Sequence, residues 1–200
     1  MLTFYLVRHG AKEAIPFDPP LTKIGVIQAK ATAEFLKDVS FDLILASPKL
    51  RTKQTADIIS KYHSLQITTD KRLIERLEWE NDKSFDEFMN EWNKTDIDRD
   101  YQPRKGMSSS ANGRRMVSIL DELSEKYKDG NILIVTHGGS IGDLLINLFT
   151  EEAISHKTEP ISGAKFIKIH ECSITTIQKN EDKYQLLKLG DISHLSIPLI

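Results

Sequence analysis

Arg8, His9 and Gly10 close an apolar run, Phe4 to Val7, that reads as a strand buried on both faces. A cation, an imidazole and a flexible residue make poor core material at the tip of such a strand. The arrangement returns in NILIVTHGGS, residues 131 to 140, where His137 and Gly138 follow a second apolar run. A third junction, ASPKLRTKQTA from Ala46, puts Arg51 one turn inside a helix after Ser47. In open α/β sheets, ligands sit beyond the carboxyl ends of the parallel strands, so Arg8, His9, Arg51 and His137 are expected to meet in one crevice. Guanidinium forks grip two oxygens of a phosphate at once. The free N–H groups of a helix start near Gly138-Gly139-Ser140 add donors. Together these residue types describe an anion pocket.

The elements that must hold them alternate along the chain. Thr22 reads as an N-cap, with Ile24, Ile27, Ala31 and Phe35 following at helical spacing. FDLILAS (41 to 47) reads as a second strand. Ser47-Pro48 opens the next helix as hydroxyl cap and first-turn proline, running to about Tyr62. LQITT (65 to 69) is a third short strand. Ser84 and Glu87 form a capping box before Phe85, Phe88, Met89 and Trp92. Met116, Ile119, Leu120, Leu123 and Tyr127 share one helical face, and SIGDLLINLF (140 to 149) follows the fourth strand. AKFIKIH, CSITTIQ and YQLLKL read as late strands joined by polar turns. The expected fold is a three-layer α/β sandwich with a mostly parallel central sheet and antiparallel edge strands near the C-terminus. Residues 1–200 read as one domain, with about 73–110 as an inserted helical segment over the site. From Leu73 to Tyr101 ten acidic residues face four basic ones, which reads mainly as a solvated face.

Composition bounds the partners. The 27 Lys and Arg nearly cancel the 29 Asp and Glu, so no overall field draws nucleic acid or an anionic membrane. One cysteine, Cys172, allows no internal disulfide and reads as a small buried hydrophobe. Neither a signal-peptide pattern nor a membrane-length apolar run is visible, so a cytoplasmic location is expected. No HxH, CxxC or HExxH motif suggests a metal, and no cofactor is expected.

LVRHG, PPLTKIGVIQA, ASPKLRTKQTA and IVTHGG resemble, in order and spacing, the signatures of the histidine phosphatase superfamily, phosphoglycerate-mutase-like branch. The resemblance covers nearly the whole chain. It implies that His9 takes a phosphoryl group and passes it to water or to a second hydroxyl, with Arg8, Arg51, His137 and Gly138 around the phosphate. The chemistry suits these types, because an imidazole is nucleophilic when neutral and nearby cations favour that form. Phosphoryl transfer then asks mainly for positioning and charge stabilisation. The family's proton donor falls in DKRLIERLEWEN, where Glu75 fits best and Glu78 and Glu80 are rivals. His9, Glu75 and His137 are thus the expected catalytic set. The chain departs from the family after RHG, where AKEAIPF lacks the usual polar contacts, and at Gly142, where an arginine is frequent. Arg115 matches a family arginine and reads as a structural ion pair.

Bland readings stand for the remainder. His63, His156, His170 and His194 read as surface or structural residues, and Trp79 and Trp92 as packing rather than a substrate mouth. Lys12 reads equally as a phosphate contact or a solvated lysine. Three functions follow: a phosphomonoesterase acting on a phosphorylated small molecule or a phosphoprotein, a phosphomutase, or a catalytically weak binding module. The completeness of the four-residue pocket and the short chain favour the first.

Overall fold

The chain crosses its sheet first at the point where strand direction changes. In this computed structural model, which describes residues 1–150, 154, 168–181 and 183–195, the first strand is β1 (Leu2–Arg8). It pairs in parallel with β4 (Gly130–Thr136) on one side and antiparallel with β5 (Ile174–Asn180) on the other. With β2 (Leu43–Ala46), β3 (Ile67–Thr69) and β6 (Lys183–Asp191) the sheet order is β3-β2-β4-β1-β5-β6. The expected mostly parallel sheet with late antiparallel strands is what forms. Residues 164–167 of AKFIKIH and His156 lie outside the described residues; Lys168–His170 are not in a strand.

Alternation along β1 and β4 divides the core between two faces. Leu2, Phe4, Leu6, Ile132 and Ile134 meet α4 (Ser109–Lys126) and α5 (Gly138–Leu148) through Met116, Ile119, Leu120, Leu144 and Leu145. Val7, Leu133 and Val135 turn the other way, onto Ala33 and Leu36 of α1 (Lys23–Leu36) and Ala56 and Ile59 of α2 (Leu50–Ile59). The remaining helix, α3 (Phe85–Ile97), starts on the Ser84–Glu87 capping box read from the sequence. No helix among the described residues is long and apolar enough to cross a membrane.

Two helices differ from expectation for physical reasons. Thr22 does cap α1, accepting from the Gly25 N–H at 3.0 Å, but Ile27 and Phe35 face solvent. The buried face is instead Gly25, Ala29, Ala33 and Leu36, because α1 lies close against the loop that follows β1. A Cβ on Gly25 would stand 2.0 Å from the Ala11 carbonyl oxygen, and one on Gly10 would stand 2.5 Å from the Gly25 carbonyl oxygen. Small residues win over hydrophobic ones wherever backbones touch. In α2 the start moves to Leu50 with Lys49 at the cap position, which leaves the Ser47 hydroxyl for another partner. The helix ends at Ile59 and a 3-10 turn, Ser60–Tyr62, completes the expected span.

The contact between Gly25 and the β1 loop yields a prediction. Gly25→Ala overpacks it and should cost about 1–3 kcal/mol, lowering Tm by about 3–10 °C for a domain of this size. A thermal melt within 1 °C of the parent protein would show that this contact yields freely.

Candidate active site

The four residues singled out at the strand ends do meet. The His9 backbone N–H donates to the Thr136 carbonyl at 3.0 Å, so the two histidine-bearing loops leave adjacent parallel strands side by side. Their rings lie 5.3 Å apart, edge to face. Arg51 sits between them, with Nε donating to His9 Nε2 at 3.2 Å and Nη2 to His137 Nδ1 at 3.1 Å. A guanidinium has only hydrogens to offer, so both of those imidazole nitrogens must be acceptors. The protons then sit on His9 Nδ1, donated to the Gly10 carbonyl at 2.8 Å, and on His137 Nε2, donated to the Ser47 hydroxyl at 2.9 Å. The same hydroxyl also accepts a long bond from the Lys49 N–H, at 3.5 Å.

Electrostatics act in the same direction. Burial pushes the proton affinity of His9 well below that of an ordinary histidine, and Arg8 and Arg51 add to the shift. His137 is lowered in the same way, first by burial and then by Arg51. Burial also lowers the pKa of Arg51. Its Nη1 is buried without a hydrogen-bond partner and lies 3.6 Å from Asp18 Oδ1. Arg8 is tethered at Glu171, 2.5 Å away, and at the Ile169 carbonyl. A Cβ on Gly138 would come within 3.2 Å of the Arg8 side chain, so the start of α5 lies directly against it. Lys12 lines the same pocket, and burial followed by Arg51 and Arg8 lowers its pKa. A buried space edged by uncompensated donors suits an anion.

Glu75 follows a 3-10 turn, Lys71–Leu73, after β3. Its Oε2 accepts from the Gly139 N–H at 2.9 Å; its Oε1 accepts from the Arg76 N–H at 3.0 Å and the Ser140 hydroxyl at 3.2 Å. Burial raises its pKa, Arg76 opposes the rise and Asp143 assists it. A Cβ on Gly139 would stand 2.6 Å from Oε1, so the carboxylate reaches the helix start only because that position is glycine. Of the two rivals, Glu78 forms an ion pair with Lys49 and Glu80 with Lys105, at 2.6 Å.

Arg76 carries a role that motif reading missed. Nearly all of its side chain is buried. Its Nη1 donates to both Asp143 oxygens at 3.0 Å, its Nε to Thr95 Oγ1 at 3.0 Å and its Nη2 to Asp96. The guanidinium carbon lies 4.0 Å from the centre of the Trp92 ring. Ser109 and Asn112 donate to the Asp143 oxygens at 2.9 and 2.7 Å. Burial disfavours its charge, but Asp143, Glu75 and Asp96 offset that and raise its pKa. The network ties α3, α4 and α5 to the residue beside Glu75. Arg115, expected in an ion pair, instead donates to the Ile74 carbonyl at 2.5 Å, bracing the same loop, and to Asn112. Both tryptophans pack within the inserted segment, Trp79 on Phe85 and Trp92 on Phe88 and Arg76, and both also line the pocket, which the sequence reading did not expect. Sequence spacing alone offered one signal, an arginine directly after the best-placed glutamate.

Asp143→Asn keeps the side-chain volume, removes one negative charge near Glu75 and turns one acceptor of Arg76 into a donor. The Glu75 carboxyl should then titrate at lower pH, read by carbon NMR of its side chain, and stability should fall by about 1.5–3 kcal/mol with the charged hydrogen bond. An unmoved midpoint would disconnect Asp143 from Glu75.

The sequence profile of the histidine phosphatase superfamily (branch 1) matches residues 4–192. A probable phosphoglycerate mutase, GpmB, from Yersinia pestis is 30% identical over 218 aligned positions, covering 100% of this chain and 98% of the relative. Two crystal structures share the fold. A phosphoserine phosphatase mutant from Entamoeba histolytica, in complex with phosphoserine, superposes with a TM-score of 0.76 at 23% identity, over 98% of this chain and 100% of that one. An alpha-ribazole phosphatase from Shigella flexneri gives 0.71 at 26% identity, over 94% and 96%. Paired His-Gly strand ends, the shared arginine and a profile match over nearly the full length lead to one conclusion: this chain belongs to the histidine phosphatase superfamily.

Proposed function

We propose that the protein hydrolyses phosphomonoesters through a covalent phosphohistidine on His9. The observation that carries this reading is the state of that ring. Its Nδ1 proton is held by the Gly10 carbonyl, its Nε2 lone pair faces Arg51, and burial keeps it neutral. Arg8, Arg51, His137 and the Gly138 N–H bind the phosphate, and the two guanidiniums supply the positive charge that the equatorial oxygens need.

In the first displacement the bound phosphate takes over the Arg51 N–H, which frees the His9 Nε2 lone pair to form a bond to phosphorus as the ester P–O bond breaks. The bond's electron pair leaves with the alcohol oxygen, which takes a proton from the Glu75 carboxyl. In the second, water attacks phosphorus, Glu75 takes the water's proton, and the P–N electron pair returns to His9. A phosphate dianion in the pocket raises the proton affinity of His137 by Coulomb attraction, which lets both of its nitrogens donate. The segment at about 73–110 acts as a cap, closing water away from the leaving group. A mutase would differ only in the second acceptor, a substrate hydroxyl in place of water.

Brief exposure to p-nitrophenyl phosphate, followed by denaturing quench, should leave an acid-labile, base-stable phosphoryl group on the peptide that contains His9. An adduct on any other peptide would falsify the assignment.

The raised pKa of Glu75 sets the alkaline limb, since rate falls as pH rises through it and the acid ionises. His9 must be neutral, and its lowered pKa keeps it so well below pH 6.5. The rate is therefore lost toward alkaline pH and sustained toward acid for as long as His9 stays neutral. Glu75→Gln should cost at least a hundredfold in kcat on an alkyl phosphate, whose alkoxide needs a proton, and far less on p-nitrophenyl phosphate. Equal losses on both would remove Glu75 from the role.

A further inference from the structure

The pocket is two-sided, and its outer side has a chemistry of its own. It encloses about 400 Å³, with the histidines and arginines at one end. Away from them the wall is aromatic. Trp79 lies 5.2 Å from Phe85, Phe85 lies 6.2 Å from Phe88, and Phe88 lies 6.0 Å from Trp92, ring centre to ring centre. These rings line one continuous surface, with Met89 beside them and Phe17 at the rim. Phe85 is 52% exposed and Phe17 59%, so large apolar side chains stand open to water around a cavity. Clusters of that kind mark binding surfaces. Phe17 also holds a backbone φ of 71°, which bulky residues rarely adopt, and its N–H donates to the Trp79 carbonyl at 2.8 Å. That bond joins the loop after β1 to the aromatic wall.

Most of the charge on this side is paired, with Lys168 at the edge the exception. Lys49 pairs with Glu78, and Asp96 and Asp143 are held by Arg76. Lys12 stands toward Arg8 and Arg51, whose charges lower its pKa after burial has done so. Lys168 is exposed at the edge, where water competes for it. A second anionic group on a ligand would therefore meet rings and paired charges.

Resting on the phosphatase reading, we propose that the substrate class is phosphomonoesters of flat aromatic or extended aliphatic alcohols, with no anionic group besides the phosphate. The rings of α3 and Trp79 hold the organic part while the inner cations hold the phosphate.

Phosphonates test this without turnover, because their P–C bond does not break. Calorimetric Kd values are compared for methylphosphonate, 2-carboxyethylphosphonate and 1-naphthylmethylphosphonate. The naphthyl compound should bind about a hundredfold more tightly than the methyl one, about 2.7 kcal/mol, and the carboxyethyl compound no more tightly than methyl. In Phe17→Ser/Phe85→Ser the naphthyl-to-methyl ratio should shrink about tenfold; taking the ratio within each protein cancels any change at the phosphate end. A ratio below ten in the parent protein, an equal gain for the carboxyethyl compound, or a ratio unmoved by the double substitution overturns the proposal. Phosphate release from 1-naphthyl phosphate reads the other claim separately. A large binding ratio without release would sustain the ligand class and defeat the hydrolase reading.

Discussion

A guanidinium can donate hydrogen bonds but cannot accept them, and that one-way property orders the centre of this protein. With Arg51 between them, His9 and His137 must each turn a lone pair toward it. Each must then find an acceptor for its remaining proton, which the Gly10 carbonyl and the Ser47 hydroxyl supply. Tautomer, ring orientation and neutrality thus follow from one side chain. Protonating either ring would set two cations face to face in a buried space, so burial and Coulomb repulsion protect the arrangement together.

A second buried guanidinium has the opposite task. Arg51 leaves one nitrogen without a hydrogen-bond partner, whereas Arg76 spends its donors on Asp143, Asp96 and Thr95 and turns its face to Trp92. Removing one partner from such a buried pair typically costs about 3–5 kcal/mol, so its geometry is held firmly. Arg76 also offers its backbone N–H to Glu75. The rigid network and the carboxylate are therefore neighbours by covalent bond, and the position of Glu75 is fixed by structure on three helices.

How much of this was legible in sequence depends on whether the cause was local. Strand tips, the Thr22 cap and the Ser84–Glu87 box are set by residues within a turn of one another, and each appears where the pattern put it. Arg8, His9, Arg51 and His137 were legible because three strand-to-helix junctions of one parallel sheet must open on the same edge. The buried face of α1 was not, since it depends on a backbone contact with a loop 14 residues earlier, where Gly25 meets Ala11. Ser47 matches a cap by spacing, and only tertiary structure reveals the imidazole that takes its hydroxyl. Trp79 and Trp92 have the periodicity and composition of packing residues, and the pocket beside them is invisible to periodicity.

The pairing of β1 with β4 runs unbroken from Leu2 opposite Gly130 to Arg8 opposite Thr136. The distance between the two histidines is therefore metered by a ladder of backbone hydrogen bonds, and side-chain fit contributes little to it. The aromatic wall has no such ruler: it rides on one helix and a loop. The molecule thus joins a half metered by backbone pairing to a half built from side chains, in which Trp92 is held by its stack on Arg76 and Phe85 stands open to water.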